Sequence, residues 1–293
     1  MNSIVVRVHA TDDDEGINGE ISYFLLNEQQ CFDIDSQTGD IRVQCVLDYE
    51  KQSKYRLEIE ARDNGEGYQT DFSIVLIELI DENDNAPRID IYRDDLQIDS
   101  NQRRLIFVNE SLDKHSLICS ISIVDFDSNE NSRISWKLHR QYADPFELIR
   151  LTETTGEIRT TNYLDREYRD QYNLTIEAHD HGKPYPKTSY LNIQITILDI
   201  NDNRPRFRQE NSTVTINEQV QFDSIVGYQV FQIHADDYDQ GLNGQVSYVL
   251  LNDENQSFTI DSQTGIIRAR KQFQRKIRDT YVLHIQARDH GKR

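Results

Sequence analysis

The octapeptide Phe32-Asp-Ile-Asp-Ser-Gln-Thr-Gly39 returns almost unchanged as Phe258-Thr-Ile-Asp-Ser-Gln-Thr-Gly265. A looser copy begins at Phe146 and ends at Thr155-Gly156, so the three glycines lie 117 and 109 residues apart. The same two spacings separate another motif, Ala61-Arg-Asp63, Ala178-His-Asp180 and Ala287-Arg-Asp289. Because independent anchors agree on one period, the sequence predicts a tandem array of units of about 110–118 residues.

Two acidic strings mark the boundaries between units. Asp81-Glu-Asn-Asp-Asn85 and Asp199-Ile-Asn-Asp-Asn203 are 118 residues apart, and a proline follows each after one further residue. Proline cannot continue a β-ladder, so each string should end one unit and begin the next. We therefore expect three repeats, residues 1–86, 87–204 and 205–293. The first is expected to lack its opening strand and the third its closing strand, as in a piece of a longer protein.

Each repeat has the pattern of an all-β domain. Runs rich in β-branched and aromatic residues, such as residues 5–10, 55–61 and 172–178, are separated by clusters of Gly, Asn and Asp. This alternation is typical of a β-sandwich. Thr38-Gly39, Thr155-Gly156 and Thr264-Gly265 are predicted to be hairpin turns in which glycine supplies a positive φ.

The composition excludes several classes of partner. The 293 residues include 51 acidic and 32 basic side chains, which gives a formal net charge of −19. Such a chain would be repelled by nucleic-acid phosphates and by an anionic membrane surface. No apolar stretch approaches the ~20 residues of a membrane-spanning helix. Three cysteines are too few for a disulfide-built scaffold.

The acids recur in register instead of being spread over the surface. Every repeat carries Asp-x-Asp followed four residues later by Asn: Asp12, Asp14 and Asn18; Asp125, Asp127 and Asn131; Asp237, Asp239 and Asn243. Two repeats add an acid pair after the turn glycine: Asp48 and Glu50; Asp165 and Glu167. Crowded carboxylates repel one another unless a cation neutralises them, and these oxygen donors are the ligands that Ca²⁺ prefers.

The acids have two other interpretations. They could be ordinary solvated turns, since a single acidic turn is common on β-proteins, but repetition of the whole combination favours calcium. An EF-hand does not fit, because Ile17, Ala86 and Arg204 stand where its loop requires glycine.

Taken together, five motifs resemble the extracellular repeat of cadherins over nearly the whole chain: Ala-x-Asp-x-Asp-x-Gly-x-Asn-Gly, Phe-x-Ile-Asp-x-x-Thr-Gly, Leu-Asp-x-Glu, Ala-x-Asp-x-Gly and Asp-x-Asn-Asp-Asn-x-Pro. The linker at residues 81–87 and the string Asp180-His-Gly-Lys-Pro184 look closer to protocadherins or to giant Fat-like cadherins. The resemblance implies tandem Greek-key β-sandwiches joined by calcium-binding linkers.

The resemblance also implies which residues bind Ca²⁺ at each junction. For the first junction, the set is Asp48, Glu50, Asp81, Asn83, Asp84, Asn85, Asp125, Asp127, Asn131 and Asp180. For the second junction, it is Glu110, Asp165, Glu167, Asp199, Asn201, Asp202, Asn203, Asp237, Asp239, Asn243 and Asp289. Asp12, Asp14, Asn18 and Asp63 would serve a junction with a preceding repeat.

The third repeat departs from this pattern. Gln274 and Lys276 replace the Asp and Glu of the acid pair. A cation at a ligand position opposes calcium, so we expect a junction after this repeat to bind fewer ions.

Several single residues are interpreted structurally. Cys31 and Cys45 lie symmetrically about the Thr38-Gly39 turn, which leaves open either a disulfide or two free thiols. Trp136 and Cys119 are predicted to be buried. Glycosylation sequons begin at Asn109, Asn173, Asn211 and Asn255.

An enzyme is not expected, because the paired carboxylates recur at every junction whereas catalysis needs one constellation in one pocket. The resemblance implies calcium-dependent cell–cell adhesion at the extracellular side of the plasma membrane. The implied partner is another cadherin ectodomain, in cis or in trans, by homophilic or heterophilic recognition. Membrane attachment would come only through a span outside these residues. The alternative function is a structural spacer within a larger cadherin-type receptor.

Overall fold

The computed structural model describes residues 3–27, 31–141, 143–217, 227–252 and 256–292. The regular elements of these residues are β-strands and one short 3-10 helix at Gly16–Asn18. Within the same residues, no helix has the length and apolar character needed to cross a membrane. The all-β prediction is therefore confirmed. The sequon at Asn255 lies outside the described residues.

The chain divides into two compact units. One comprises Met1–Asp90, Ile123–Trp136 and Glu177–Tyr190, and the other comprises Ile91–Ser122, Lys137–Ile176 and Leu191–Arg293. All residues that the sequence assigns to the first junction belong to the first unit. All those assigned to the second junction belong to the second unit.

Among its described residues, the first repeat has six strands in two sheets. The strands are β1 (Ile4–Arg7), β2 (Ile21–Leu25), β3 (Phe32–Ile34), β4 (Asp40–Val43), β5 (Lys54–Asp63) and β6 (Thr70–Glu78). The sheets have the orders β1-β4-β3 and β2-β5-β6. Gly39, with φ +70°, closes the antiparallel β3–β4 hairpin as predicted, and a disulfide joins Cys31 to Cys45 at the open end of that hairpin. The disulfide alternative is thus confirmed.

The described part of the second repeat has nine strands. They are β7 (Arg88–Tyr92), β8 (Gln97–Ile98), β9 (Arg104–Asn109), β10 (Leu117–Val124), β11 (Ser135–His139), β12 (Phe146–Arg150), β13 (Thr155–Thr160), β14 (Gln171–His179) and β15 (Thr188–Leu198). The sheets have the orders β12-β13-β10-β7 and β11-β14-β15-β9-β8. Because β9 pairs in parallel with β15 while β7 joins the other sheet, the opening segment of the repeat contributes to both sheets.

The third repeat follows the same plan. Its strands are β16 (Arg206–Phe207), β17 (Tyr228–Gln232), β18 (Ala235–Asp236), β19 (Ser247–Asn252), β20 (Phe258–Ile260), β21 (Ile266–Ala269) and β22 (His284–Arg288). They form sheets of order β16-β18, β17-β21-β20 and β19-β22.

An edge-to-face aromatic pair recurs in the core of each repeat. The ring centroids are 4.9, 5.2 and 5.4 Å apart in Phe32–Tyr55, Phe146–Tyr172 and Phe258–Tyr281. Such pairs add stability beyond the area that they bury. In the first repeat the pair joins β3 of one sheet to β5 of the other, as expected for a sandwich core. Trp136 and Cys119 are both buried, as predicted, and burial raises the pKa of Cys119 to about 12.

The predicted turn at Thr155-Gly156 is wrong. Gly156 lies inside β13, where it pairs with Arg150 on β12 and with Ile121 on β10, and its φ is not positive. The turn closes earlier, because the Thr152 hydroxyl accepts hydrogen bonds from the amides of Thr154 and Thr155. In the other two repeats a carboxylate, Asp35 or Asp261, caps the turn, and a left-handed glycine follows.

Candidate metal centre

The first junction is assembled from loops that follow strands. The linker after β6 supplies Asp81, the loop after β10 supplies Asp127, and the loop after β4 supplies Glu50. One carboxylate oxygen from each of these three residues lies within 4.8 Å of the other two. Asp127 is buried, so this is a concentrated patch of negative charge.

Hydrogen bonds fix the first linker to the repeat that follows it. The backbone amide and side-chain Nδ2 of Asn85 donate to Asp127 Oδ1 at 3.2 and 2.6 Å. The Ser128 amide and Asn131 Nδ2 donate to Asp81 Oδ2 at 3.0 and 2.8 Å. The linker therefore holds the loop after β10 in two ways, with Asn85 as donor and Asp81 as acceptor.

Asn83 reaches a third loop of the first junction. Its Nδ2 donates to the Tyr185 carbonyl at 2.8 Å and to buried Asp180 at 3.3 Å. A Cβ on Gly182 would lie 2.2 Å from Asn83 Cγ, so only glycine allows this approach. The equivalent Gly291 has Asn201 Cγ at 2.6 Å. Sequence reasoning did not assign these glycines to the site, although the Ala-x-Asp-x-Gly motif contains them.

The second junction contains two overlapping groups of acids. Glu110, Glu167 and Asp199 form one group, and Glu167, Asp202 and Asp239 form the other; within each group the carboxylate oxygens lie within 4.8 Å of one another. Glu110 is buried, with Oε1 accepting from the Ile200 amide at 2.8 Å and Oε2 from the Arg166 amide at 2.9 Å. The structure thus brings Glu110 to the junction that the resemblance assigned to it.

The second linker repeats the hydrogen bonds of the first. Asn203 donates to Asp239 from its amide at 3.2 Å and from Nδ2 at 2.8 Å. Asn243 Nδ2 donates to Asp199 Oδ2 at 2.8 Å. Asn201 Nδ2 donates to Asp289 Oδ1 at 3.2 Å, as Asn83 does to Asp180.

Arg166, which the sequence analysis did not single out, enters the second acid cluster. Its Nε donates to Asp199 Oδ1 at 2.6 Å, and its Nη2 donates to the Tyr238 carbonyl at 2.7 Å and to Glu167. Burial by itself lowers the pKa of Arg166, but Glu167 and Asp199 raise this pKa by more. Tyr49 holds the matching position, between Asp48 and Glu50, at the first junction. In the sequence, this difference is indicated only by the contrast between Asp165-Arg-Glu167 and Asp48-Tyr-Glu50.

Several junction carboxylic acids are harder to ionise than usual. Burial is the largest cause, and repulsion from neighbouring carboxylates adds to it. The pKa is raised for Glu50 and Asp125 at the first junction and for Glu167, Asp202 and Asp237 at the second.

Orphaned oxygens test whether these residues fit calcium. Asn83 Oδ1 and Asp125 Oδ2 at the first junction are buried without a hydrogen-bond partner, and so are Asn201 Oδ1 and Asp237 Oδ2 at the second. The four atoms occupy matching positions. An unsatisfied buried acceptor is costly, and Ca²⁺ takes carboxylate and amide oxygens as ligands. The residues therefore fit the ion.

The remaining predicted ligands lie outside these acid groups. Among the described residues, the acids Asp12, Asp14 and Asp63 do not join them; Asp12 accepts from the Asp14 amide at 2.9 Å and Asp63 from the Gly65 amide at 2.8 Å. Asn18 lies beside Asp63, because a Cβ on Gly65 would be 2.4 Å from Asn18 Oδ1 and 3.0 Å from Asp63 Oδ1. Asp48 forms an ion pair with Lys51 at 2.7 Å, Asp165 accepts from the Tyr168 amide at 2.8 Å, and Asp84 accepts from Asn85 Nδ2 at 2.8 Å.

Gln274 occupies the same backbone position as Asp165. The carbonyl of each accepts a hydrogen bond from the amide four residues later, that of Arg278 at 3.1 Å and that of Arg169 at 3.0 Å. The third repeat therefore builds the same turn without its first carboxylate.

A family model described as "Cadherin domain" matches residues 1–80, 96–198 and 212–293. Protocadherin gamma-B5 of Homo sapiens is 34% identical over 293 residues, and protocadherin gamma-B7 of Homo sapiens is 36% identical over 299 residues. Each alignment covers 98% of this chain, which spans only 30% of the length of these curated relatives.

Solved structures give a consistent result. The protocadherin gamma-B4 extracellular domain matches with a TM-score of 0.79 and 34% identity, and the alignment covers 99% of this chain and 44% of that structure's chain. Repeats 22–24 of mouse cadherin-23 have a TM-score of 0.70 and 27% identity, covering 99% of this chain and 87% of their own.

Proposed function

Since the chain belongs to the cadherin family, we propose that it is a segment of an ectodomain that supports calcium-dependent cell–cell adhesion. The proposed partner is another cadherin ectodomain, in cis or in trans, with homophilic recognition as the first case. The ectodomain is placed on the extracellular side of the plasma membrane, attached by a span outside these residues. The proposed repeats are residues 1–86, 87–204 and 205–293.

One observation carries the calcium part of this proposal: the same oxygens are orphaned at both junctions. Asn83 and Asp125 at the first, and Asn201 and Asp237 at the second, present buried oxygens without hydrogen-bond donors. These atoms and the surrounding carboxylates would hold the ion. Bound Ca²⁺ supplies positive charge and accepts several oxygen ligands at once.

The chain's own residues couple consecutive repeats around that site. Asn203 and Asn243 fix the second linker to the third repeat by donating to Asp239 and Asp199. Glu167, from the preceding repeat, faces the same acids within 4.8 Å. Because these carboxylates repel one another when they are not neutralised, the relative position of the repeats depends on a cation. Adhesion then needs calcium because the adhesive surfaces must be held in a fixed arrangement.

The test is aggregation of beads coated with an ectodomain that contains these residues. Aggregation is expected in calcium and should be lost in chelator. Asp202→Ala removes one acid of the second junction and should lower calcium affinity there by at least about tenfold, measured calorimetrically, and slow aggregation. Asp113→Ala, outside both junctions, is the control.

Two results would contradict the proposal in different ways. Unchanged calcium affinity in Asp202→Ala would remove the metal assignment. Normal bead aggregation after deletion of residues 1–293 from the ectodomain would favour the spacer function.

A further inference from the structure

Arg166 lies in the loop between β13 and β14, and its side chain is only 14% exposed. It donates from Nε to Asp199 and from Nη2 to the Tyr238 carbonyl and to Glu167. Its own backbone amide donates to Glu110 at 2.9 Å. Most of its hydrogen-bonding capacity is therefore directed into the second junction.

These contacts connect three successive parts of the chain. Arg166 precedes the second linker, Asp199 begins that linker, and Tyr238 lies between Asp237 and Asp239 of the third repeat. All of them lie within one compact unit. A single guanidinium thus ties the second repeat both to the linker and to the repeat that follows.

At the first junction Tyr49 takes the place of this cation, and Lys51, which pairs with Asp48 there at 2.7 Å, is 83% exposed. Asp81 matches Asp199, and its Oδ1 is buried without a hydrogen-bond partner. At the second junction Asp199 Oδ1 accepts from Arg166 Nε at 2.6 Å and from the Gln240 amide at 3.0 Å. The neutral Tyr49 replaces Arg166 at the first junction, so the acids there depend more on a cation from solution.

We propose that Arg166 is a positioning residue that keeps the second junction ordered when calcium is absent, so that calcium withdrawal loosens the first junction before the second. The inference goes beyond the proposed calcium function because it concerns the calcium-free chain. A guanidinium stays protonated at every physiological pH, so this tie is permanent. Its planar donors can serve two acceptors at once, and hydrogen bonds to ionised partners are the stronger kind.

Hydrogen–deuterium exchange of the whole chain in chelator tests the proposal. The amides in residues 196–206 report on the second linker and those in residues 78–88 on the first. Arg166→Tyr should speed exchange in residues 196–206 by about tenfold or more, because a partly buried charged partner is lost. The sequence of the reporting peptide is unchanged, so wild type and variant can be compared directly.

The reciprocal variant, Tyr49→Arg, should slow exchange in residues 78–88 by about threefold or more. Arg166→Lys keeps the charge but loses the planar pair of donors, so its exchange should fall between those of wild type and Arg166→Tyr. If Arg166→Lys exchanged at the wild-type rate, the assignment of two separate donors would be overturned. The Arg166→Lys variant also tests the proposal if Arg166→Tyr destabilises β14 as a whole.

Equal exchange of residues 196–206 in wild type and Arg166→Tyr would overturn the proposal. So would a failure of Tyr49→Arg to slow the first linker. In excess calcium, wild type and Arg166→Tyr should exchange alike, and a difference that persisted there would also count against the inference. A failure of the proposed calcium function can be distinguished from a failure of this inference. In the former case, adding calcium would slow exchange at neither linker in wild type or in any variant.

Discussion

At the first junction Tyr49 stands between Asp48 and Glu50, whereas at the second junction Arg166 stands between Asp165 and Glu167. Apart from Glu110, which has no counterpart in the set assigned to the first junction, the acids and amides around them match in position, and so do the bonds of Asn85 to Asp127 and of Asn203 to Asp239. The intervening residue decides whether a partly buried guanidinium lies among the junction acids, since Lys51, which pairs with Asp48 at the first junction, is 83% exposed. The comparison leads to the proposal that the two junctions respond differently to calcium withdrawal.

Besides Lys51, the first junction contains Lys187, but this residue makes a different contact. Lys187 Nζ donates to the backbone carbonyl of Asp84 at 2.6 Å in an exposed hydrogen bond. It ties the linker to the following repeat, whereas Arg166 reaches from the preceding repeat. The two junctions therefore differ mainly in how the preceding repeat is attached to the linker.

The strongest way to separate the junctions is to add a methyl group beside one linker asparagine. In Gly182→Ala the new Cβ would lie 2.2 Å from Asn83 Cγ, and in Gly291→Ala 2.6 Å from Asn201 Cγ. Each substitution must displace its asparagine, so each should lower calcium affinity at its own junction by about tenfold or more. Calorimetric titration of the two variants measures this, and each is the control for the other. A single variant that lowered calcium affinity equally at both junctions would break the comparison.

Acidity should reveal a smaller difference. Glu50 and Asp125 at the first junction and Glu167, Asp202 and Asp237 at the second have raised pKa values in the calcium-free fold, so for these groups the folded state takes up protons before the unfolded chain does. Lowering the pH from neutrality through these raised pKa values therefore stabilises the calcium-free junctions, and that stabilisation is absent at higher pH. The same protons compete with calcium.

We expect calcium affinity to fall about threefold or more between neutral pH and a lower pH at which these raised carboxyl pKa values are reached. The fall should be steeper at the second junction, where Glu167, Asp202 and Asp237 all have raised pKa values, than at the first, where Glu50 and Asp125 do. Calorimetry at the two pH values, using the glycine variants to isolate each junction, checks this. An affinity that rises on acidification would refute it.

The smallest expected effect comes from Lys187→Met. Because the lost bond is exposed, exchange of residues 78–88 in chelator should rise only about twofold to threefold. Residues 196–206 should not change. Lys183→Met, a nearby lysine substitution in the same loop, is the matched control. A rise as large as that expected for Arg166→Tyr would mean that the exposed hydrogen bond of Lys187 and the partly buried ones of Arg166 order their linkers equally well. That result would remove the contrast between the junctions.

Much of the site could be predicted from sequence because ligand type and spacing are local properties. The resemblance carried by the motifs assigned Asp81, Asp127 and Glu50 to one junction, and in the structure one carboxylate oxygen of each lies within 4.8 Å of the others. Glu110 is also placed with Glu167 and Asp199. The role of Gly182 was not predicted, because it depends on the approach of Asn83, which is 99 residues away in the sequence.

The failed turn at Gly156 has a similar cause. The Thr-Gly string is shared by all three repeats, but the capping side chain is a hydroxyl at Thr152 and a carboxylate at Asp35. Pairing with both β10 and β12 then places Gly156 inside a strand. A local motif predicts that a turn is near, whereas the sheet decides which residues form it.

The sequence by itself determined the three-fold repeat, the β class and the oxygen-donor chemistry of the residues proposed to bind calcium, whereas the boundaries at the acidic strings stay a prediction. These follow from the order and the type of the side chains. Only the tertiary structure decided which oxygens are satisfied and which are orphaned, and that Arg166 lies among the acids. The bonds from Glu110 to Ile200 and from Arg166 to Tyr238 join residues 90 and 72 positions apart. Such contacts exist only after the sheets have folded, because the fold fixes the distance between groups that the chain itself leaves independent.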